Sequence, residues 1–78
     1  MDDFIAIDVE TANKYIRGSI CQIGIVGFLN GKFERIYNSL INPNCEFSFE
    51  LANIHGITPE MVESAPTFNE ALPNFDLF

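Results

Sequence analysis

Two carboxylates stand at the end of a short apolar segment near the N-terminus. Asp8 and Glu10 follow the run Phe4-Ile5-Ala6-Ile7 and are separated by a single residue. On a β-strand, residues two apart point to the same face and lie about 6.6 Å apart along the strand. This spacing suits a pair of divalent ions about 4 Å apart, the arrangement used for two-metal cleavage of phosphodiesters. The oxygen ligands favour Mg²⁺ or Mn²⁺.

The same pattern can arise without any function. With ordinary acid frequencies, an Asp-x-Glu sequence is expected by chance about 0.3 times in a chain of this length. The position of the pair favours a site, because an apolar strand that ends in two same-face carboxylates would otherwise leave unpaired charge at the edge of a core. From the residues alone, metal binding is favoured and a pair of solvated surface acids stays open.

The charge balance limits how the chain could bind nucleic acid. It has 4 Lys and Arg against 11 Asp and Glu, a formal net charge of −7. A broad basic surface, which binds phosphates by displacing their counterions, is therefore excluded. Metal ions held by Asp8 and Glu10 would instead attract a phosphate substrate.

Location and redox state follow from simple counts. No run approaches the roughly 18 apolar residues of a membrane span, and the N-terminus lacks the positive region of a secretory signal. We therefore expect a cytoplasmic protein without membrane contacts. Cys21 and Cys45 have no His spacing suited to zinc, so reduced, packed thiols are expected, with a disulfide as the minor alternative.

The first half of the chain predicts three strands. The run that starts at Phe4 predicts a buried strand ending around Glu10, and residues 20–29 predict a central strand buried on both faces. Asn30-Gly31 predicts a type I′ turn, followed by a return strand over residues 32–41. The result is an antiparallel meander.

Glycines and prolines mark the finer features. Gly24 and Gly27 predict a bulge or a close backbone approach within the central strand. In the second half, residues 47–55 predict a short helix that Gly56 ends in the left-handed conformation.

Two more helix starts follow. Thr58-Pro59-Glu60 has an N-cap, a proline at the first helical position and an acid in the first turn. Thr67 and Glu70 form a capping box that begins a third helix, with Pro73 one turn in.

These motifs together resemble a known family. The segment Phe4-Ile5-Ala6-Ile7-Asp8-Val9-Glu10-Thr11 resembles the first motif of the DEDD (DnaQ-like) 3′–5′ exonucleases, the superfamily that includes the proofreading epsilon subunit of bacterial DNA polymerase III. Further matching segments follow in the family's order and spacing at residues 19–26, 40–43, 54–62 and 65–68. The resemblance implies an α/β, ribonuclease H-like fold, of which the meander and short helices are the N-terminal portion.

The resemblance also implies site residues. Asp8 and Glu10 would be the catalytic metal ligands for Mg²⁺ or Mn²⁺, holding half of a two-metal site. The backbone at Thr11 and Ala12 would lie against the 3′-terminal nucleotide.

A second group of implied contacts lies in the first predicted helix. Glu50 and His55 would be polar contacts to the terminal sugar and base, with Leu51 as an apolar wedge. Without the resemblance, His55 is a helix-end residue favoured beside the C-terminal partial negative charge. The family's general base belongs to a later motif and is not His55.

The implied function is a metal-dependent 3′–5′ exonuclease acting on single-stranded DNA or RNA ends. The family uses two further Asp ligands and a water-activating His, which do not follow in this sequence. We therefore expect residues 1–78 to be the N-terminal part of an exonuclease domain, inactive by itself. A DNA polymerase is a possible partner. Residues 74–78 also loosely resemble sliding-clamp docking peptides.

A different class of function stays open. The chain could be a non-catalytic interaction module that pairs, or forms oligomers, through an exposed strand edge. Its 8 Phe residues fit either interpretation.

Overall fold

The fold is a three-stranded antiparallel sheet followed by three short helices. The structure is a computed structural model that describes residues 3–75, with side chains through residue 74. The strands are β1 (Phe4–Thr11), β2 (Ile20–Leu29) and β3 (Lys32–Leu40), in the order β1-β2-β3. The predicted meander is confirmed, with β3 ending just before the predicted Ile41.

The turn between β2 and β3 has the predicted geometry. Asn30 and Gly31 have φ angles of 53° and 76°, the positive values that a type I′ turn requires at both central positions. A register shift between Gly27 and Phe28 leaves Glu34 as an extra residue on β3, so this bulge lies on the neighbouring strand and not within the central strand, where it was predicted. At Gly24 an added Cβ would lie 4.0 Å from the Asp8 carbonyl oxygen, an ordinary contact distance.

The two faces of the sheet differ in burial. Along β2, Cys21, Ile23 and Ile25 are buried, whereas the residues between them are only half-buried. The expectation that β2 is buried on both faces is therefore wrong within the described residues. The buried residues pack against residues of α2 and α3 on one face.

The prediction of a buried β1 is also wrong within residues 3–75. Ile5 and Ile7 are 53% and 63% exposed, although they are paired with β2 residues of the buried face. β1 lies at the edge of the sheet. Its apolar side chains therefore lack the cover that the central strand receives from the helices.

The helices are α1 (Phe49–His55), α2 (Pro59–Val62) and α3 (Phe68–Phe75). α1 begins two residues later than predicted and ends as predicted, with Gly56 left-handed at φ 73°. At the start of α2, the Thr58 hydroxyl accepts a hydrogen bond from the Met61 N–H at 3.3 Å. The described helices are too short to cross a membrane.

α3 has the predicted capping box at its start. The Glu70 carboxylate accepts from the Thr67 N–H at 2.9 Å, and the Thr67 hydroxyl accepts from the Glu70 N–H at 3.2 Å. Pro73 lies inside the helix instead of ending it. An interior proline has a helical φ but removes a backbone hydrogen bond and crowds the carbonyl four residues earlier, and α3 ends two residues after Pro73.

Two small apolar clusters hold α2 and α3 to the sheet. The first joins β2 to α2, and its buried members are Ala12, Cys21, Ile57 and Val62. The second joins β2 to α3, and its buried members are Ile23, Ile25, Ile41 and Ala71. The suggested clamp-docking peptide lies mostly outside the described residues, since residues 76–78 and the side chain of residue 75 are not described.

The second cluster gives a test of the fold. Ile41 is fully buried, and we expect Ile41→Ala to lower the free energy of unfolding by about 3 kcal/mol, through lost burial and a cavity. Urea denaturation followed by circular dichroism measures the loss. Ile36→Ala is the matched control, because its side chain is 62% exposed and its truncation should cost under about 1 kcal/mol. Equal losses for the two variants would contradict this core assignment.

Candidate active site

Asp8 and Glu10 lie on the same face of β1, as their spacing predicts. Together they line a cavity of about 150 Å³, which is open to solvent. Asp8 is exposed and Glu10 is half-buried. Both carboxylates can therefore be reached by an ion or a substrate from solution.

Residues of the two neighbouring strands complete the cavity. Asp8 is paired across the sheet with Gly24, which is paired in turn with Asn38. Gly24 has no side chain, so the space above it stays open between the carboxylate and the amide. Gln22, paired with Glu10, is the remaining polar residue of the lining.

Sequence reasoning missed Gln22 and Asn38. Gln22 could not be assigned from the chain order, because a regular hairpin closed at Thr11 and Ile20 would pair Glu10 with Cys21, and the register shift puts Gln22 opposite Glu10. Asn38 could not be assigned either, because the bulge opposite Gly27 and Phe28 shifts the register of β3 by one residue.

The donor atoms fit a hard divalent cation. The cavity is lined by two carboxylates and two side-chain amides, all of which offer oxygen. Within residues 3–75, no group of three or more His, Cys, Asp or Glu residues could hold a metal ion. Metal binding by Asp8 and Glu10 stays a prediction.

The backbone after β1 is held from two sides. The buried Ala12 donates its N–H to the Ser19 carbonyl at 2.7 Å, and its carbonyl accepts from the Ser48 N–H at 2.6 Å. Ala12 thus joins the loop of residues 12–19 to the residue that precedes α1. Thr11, half-buried beside it, is the last residue of β1.

Glu50 is paired with a lysine of this loop. Its carboxylate lies 2.7 Å from the Lys14 Nζ, and the Lys14 N–H donates to the Ser48 hydroxyl at 2.9 Å. The hydrogen bond and charge of Glu50 raise the pKa of Lys14, and the same bond lowers the pKa of Glu50. The Lys14 Nζ also lies 5.2 Å from the centre of the Tyr15 ring. Leu51, the expected wedge, is half-buried.

His55 contacts the end of β1. Its Nε2 lies 2.9 Å from the Thr11 carbonyl oxygen, and its Nδ1 accepts from the Ile57 N–H at 3.0 Å. The structure therefore brings His55 and Thr11 together, whereas Glu50 forms its ion pair at the opposite end of α1. The expected substrate contacts of these residues stay predictions.

Cys21 lies beside this histidine. Its Sγ is 3.9 Å from the His55 Nε2. Burial raises the pKa of the Cys21 thiol, and the negative charge of Glu10 raises it further. Burial also raises the pKa of Cys45. Both cysteines are free, as the sequence predicts.

The chain is similar to proteins named as DNA polymerase III. It is 36% identical over 73 residues to the PolC-type DNA polymerase III of Thermotoga petrophila, covering 92% of this chain and 5% of that protein. It is 32% identical over 74 residues to the PolC-type enzyme of Caldanaerobacter subterraneus, covering 94% of this chain and 5% of that protein. It is 27% identical over 78 residues to the DNA polymerase III epsilon subunit of Buchnera aphidicola, covering 91% of this chain and 34% of that protein.

A solved structure has the same fold. Exonuclease X, in a complex with 5′ overhanging duplex DNA, superposes with a TM-score of 0.82 at 30% identity, covering 91% of this chain and 42% of that one. The ribonuclease H-like fold and the resemblance to epsilon-type exonucleases are thereby confirmed. Residues 5–78 match the sequence model of the exonuclease family named RNase T. The chain belongs to this RNase T exonuclease family.

Proposed function

We propose that this chain supplies the first metal-binding motif of a Mg²⁺- or Mn²⁺-dependent 3′–5′ exonuclease. The observation that carries the proposal is the open cavity at the end of β1, which Asp8 and Glu10 line in a chain of an exonuclease family. Gln22 and Asn38 add neutral polar groups to the same cavity. The bound ions would polarise the scissile phosphate and activate the attacking water.

The residues of this chain have separate tasks in the proposed reaction. Asp8 and Glu10 hold the ions at the end of a strand that is paired with β2. Thr11 and Leu51, which are half-buried, would border the 3′-terminal nucleotide, whereas Ala12 is buried and both its backbone N–H and its carbonyl are already hydrogen-bonded within the chain. The net charge of −7 supports a role for bound metal ions, because the chain has no broad basic surface that could attract the phosphate in their place.

We propose single-stranded 3′ ends as the substrate, in DNA proofreading or repair. The support comes from the relatives, which are named as DNA polymerase III proteins and as an exonuclease bound to DNA. A DNA polymerase as partner rests on the same names. Sliding-clamp binding, oligomer formation and a cytoplasmic location stay predictions of the sequence.

We further propose that residues 1–78 are the N-terminal part of a larger exonuclease domain. The chain spans 42% of the Exonuclease X chain, 34% of the epsilon subunit and 5% of the PolC-type proteins. The remaining metal ligands and the general base would come from outside these residues. We expect the isolated chain to bind metal weakly and to cleave nothing measurable, because catalytic groups act as a unit.

The first test removes a proposed ligand. Asp8→Ala should lower kcat of the complete exonuclease domain by about 10³-fold or more, since the metal site is lost. Release of nucleoside monophosphates from single-stranded DNA and RNA, with and without Mn²⁺, measures this and separates the two substrates. Glu34→Gln, which changes an exposed carboxylate on β3, is the control and should keep its activity. Wild-type activity in Asp8→Ala would exclude the assignment.

The oligomeric state and the Mn²⁺ binding of the 78-residue chain distinguish the interaction module from the exonuclease. Ile5 and Ile7 leave apolar surface on the edge strand, which a partner chain could cover. A defined dimer of the 78-residue chain that binds no Mn²⁺ would favour that second function. Metal binding that depends on Asp8 would favour the exonuclease.

A further test concerns the ion pair at the start of α1. Because the hydrogen bond from Lys14 lowers the pKa of Glu50, Lys14→Met should raise it towards its ordinary value of 4.5. The folded-state pKa lies below that value, so the pair's small contribution to stability is lost as pH falls through the lowered pKa. Carboxyl-carbon NMR titration of Glu50 measures the change. Lys32→Met, at the β2–β3 turn, is the control, and an unchanged Glu50 pKa in Lys14→Met would contradict the pairing.

A further inference from the structure

We propose that His55 is a positioning residue, which orients Glu10 by holding the carbonyl of the next residue, Thr11. The inference deepens the proposed function, since it assigns a residue that shapes the same metal site. It rests on the two hydrogen bonds of the imidazole ring and on the irregular pairing at the end of β1.

The two ring bonds define one tautomer. The Ile57 N–H is a donor, so the Nδ1 that receives it at 3.0 Å carries no proton. The proton of the neutral ring is then on Nε2, which donates to the Thr11 carbonyl oxygen at 2.9 Å. His55 is thus a donor to β1 and an acceptor from the chain that follows α1.

The bond to Thr11 lies where the sheet pairing is interrupted. Glu10 is paired with Gln22 and Thr11 with Ile20, so Cys21 is an extra residue on β2. Such a bulge disrupts the ladder and changes the direction of nearby side chains. An additional donor at the Thr11 carbonyl therefore restrains the backbone at the residue that directly follows Glu10.

The histidine itself is held in place from several directions. It is the last residue of α1, and Gly56 ends the helix in the left-handed conformation. Ile57, whose N–H donates to the His55 Nδ1, belongs to the first apolar cluster and is 3% exposed. At the other end of α1, Lys14 and Ser48 tie the helix to the loop after β1. The ring is therefore a fixed support against which the end of β1 is held.

Two variants separate the two ring bonds. His55→Gln places an amide N–H near the position of Nε2 and can keep the bond to Thr11 while losing the acceptor for Ile57. His55→Asn places an amide oxygen near the position of Nδ1 and can keep the bond from Ile57 while losing the donor to Thr11. Asn53→Ala, which changes an exposed residue of the same helix, is the control.

Three NMR measurements on the 78-residue chain follow from this. Nitrogen-15 spectra of the wild-type ring report the tautomer. Side-chain couplings of Glu10 report whether it keeps one rotamer. Broadening of the Asp8 and Glu10 signals by added Mn²⁺ reports the half-saturation concentration, even for weak binding.

We expect a proton on Nε2, one Glu10 rotamer in wild type and in His55→Gln, and Mn²⁺ half-saturation within about twofold in those two proteins. In His55→Asn the rotamer should average and the half-saturation concentration should rise about tenfold, the scale for outer contacts of metal ligands. Asn53→Ala should match wild type.

Other results would overturn the inference. A proton on Nδ1 contradicts it without any variant, as does the reverse ranking, in which His55→Asn matches wild type and His55→Gln does not. Failure of the proposed function looks different: Mn²⁺ then causes no broadening that Asp8→Ala removes. The tautomer and the Glu10 rotamer would still decide the role of His55 in that case.

Discussion

The break in pairing between β1 and β2 is the constraint around which the site is arranged. Because β2 has Cys21 as an extra residue there, regular ladder hydrogen bonds do not by themselves hold the end of β1. The Thr11 carbonyl also accepts from His55, and the Ala12 carbonyl accepts from the Ser48 N–H. Both ends of α1 are thereby brought to the strand end that carries Glu10. A short helix with no buried residue of its own is located by these polar contacts.

The candidate site is acidic, as is the chain as a whole. The chain has a net charge of −7, and two of its carboxylates, Asp8 and Glu10, line one open cavity. Lys14, in the loop after β1, is paired with Glu50 and not with either site carboxylate. In the proposed exonuclease, divalent ions are the source of positive charge at the reacting phosphate. An acidic protein can in this way act on a polyanion without a basic binding surface.

The apolar packing is limited and lies on one side of the sheet. Chains of this size bury only about 60% of the surface that the unfolded chain exposes. Here the buried residues form two small clusters under the helices, while Ile5, Ile7 and Val9 of β1 remain 53%, 63% and 39% exposed. The larger exonuclease domain that we propose would offer cover for this face. The site face, in contrast, has a glycine at its centre and stays open.

The sequence by itself determined the local features. Its glycines and caps gave the Asn30-Gly31 turn and the end of α1 at Gly56, and the Asp-x-Glu spacing put both carboxylates on one face. These follow from φ preferences and from a side-chain period of two, which need no distant partner.

Only the tertiary structure decided which residues surround the carboxylates. A regular two-residue hairpin would pair Gly24 with Tyr37, but the bulge shifts the register by one residue and puts Asn38 there. The bonds from Lys14 to Glu50 and from His55 to Thr11 join residues 36 and 44 positions apart. Register shifts depend on the pairing of whole strands, and contacts of this range depend on how α1 lies against the end of β1, so local sequence preferences cannot specify them.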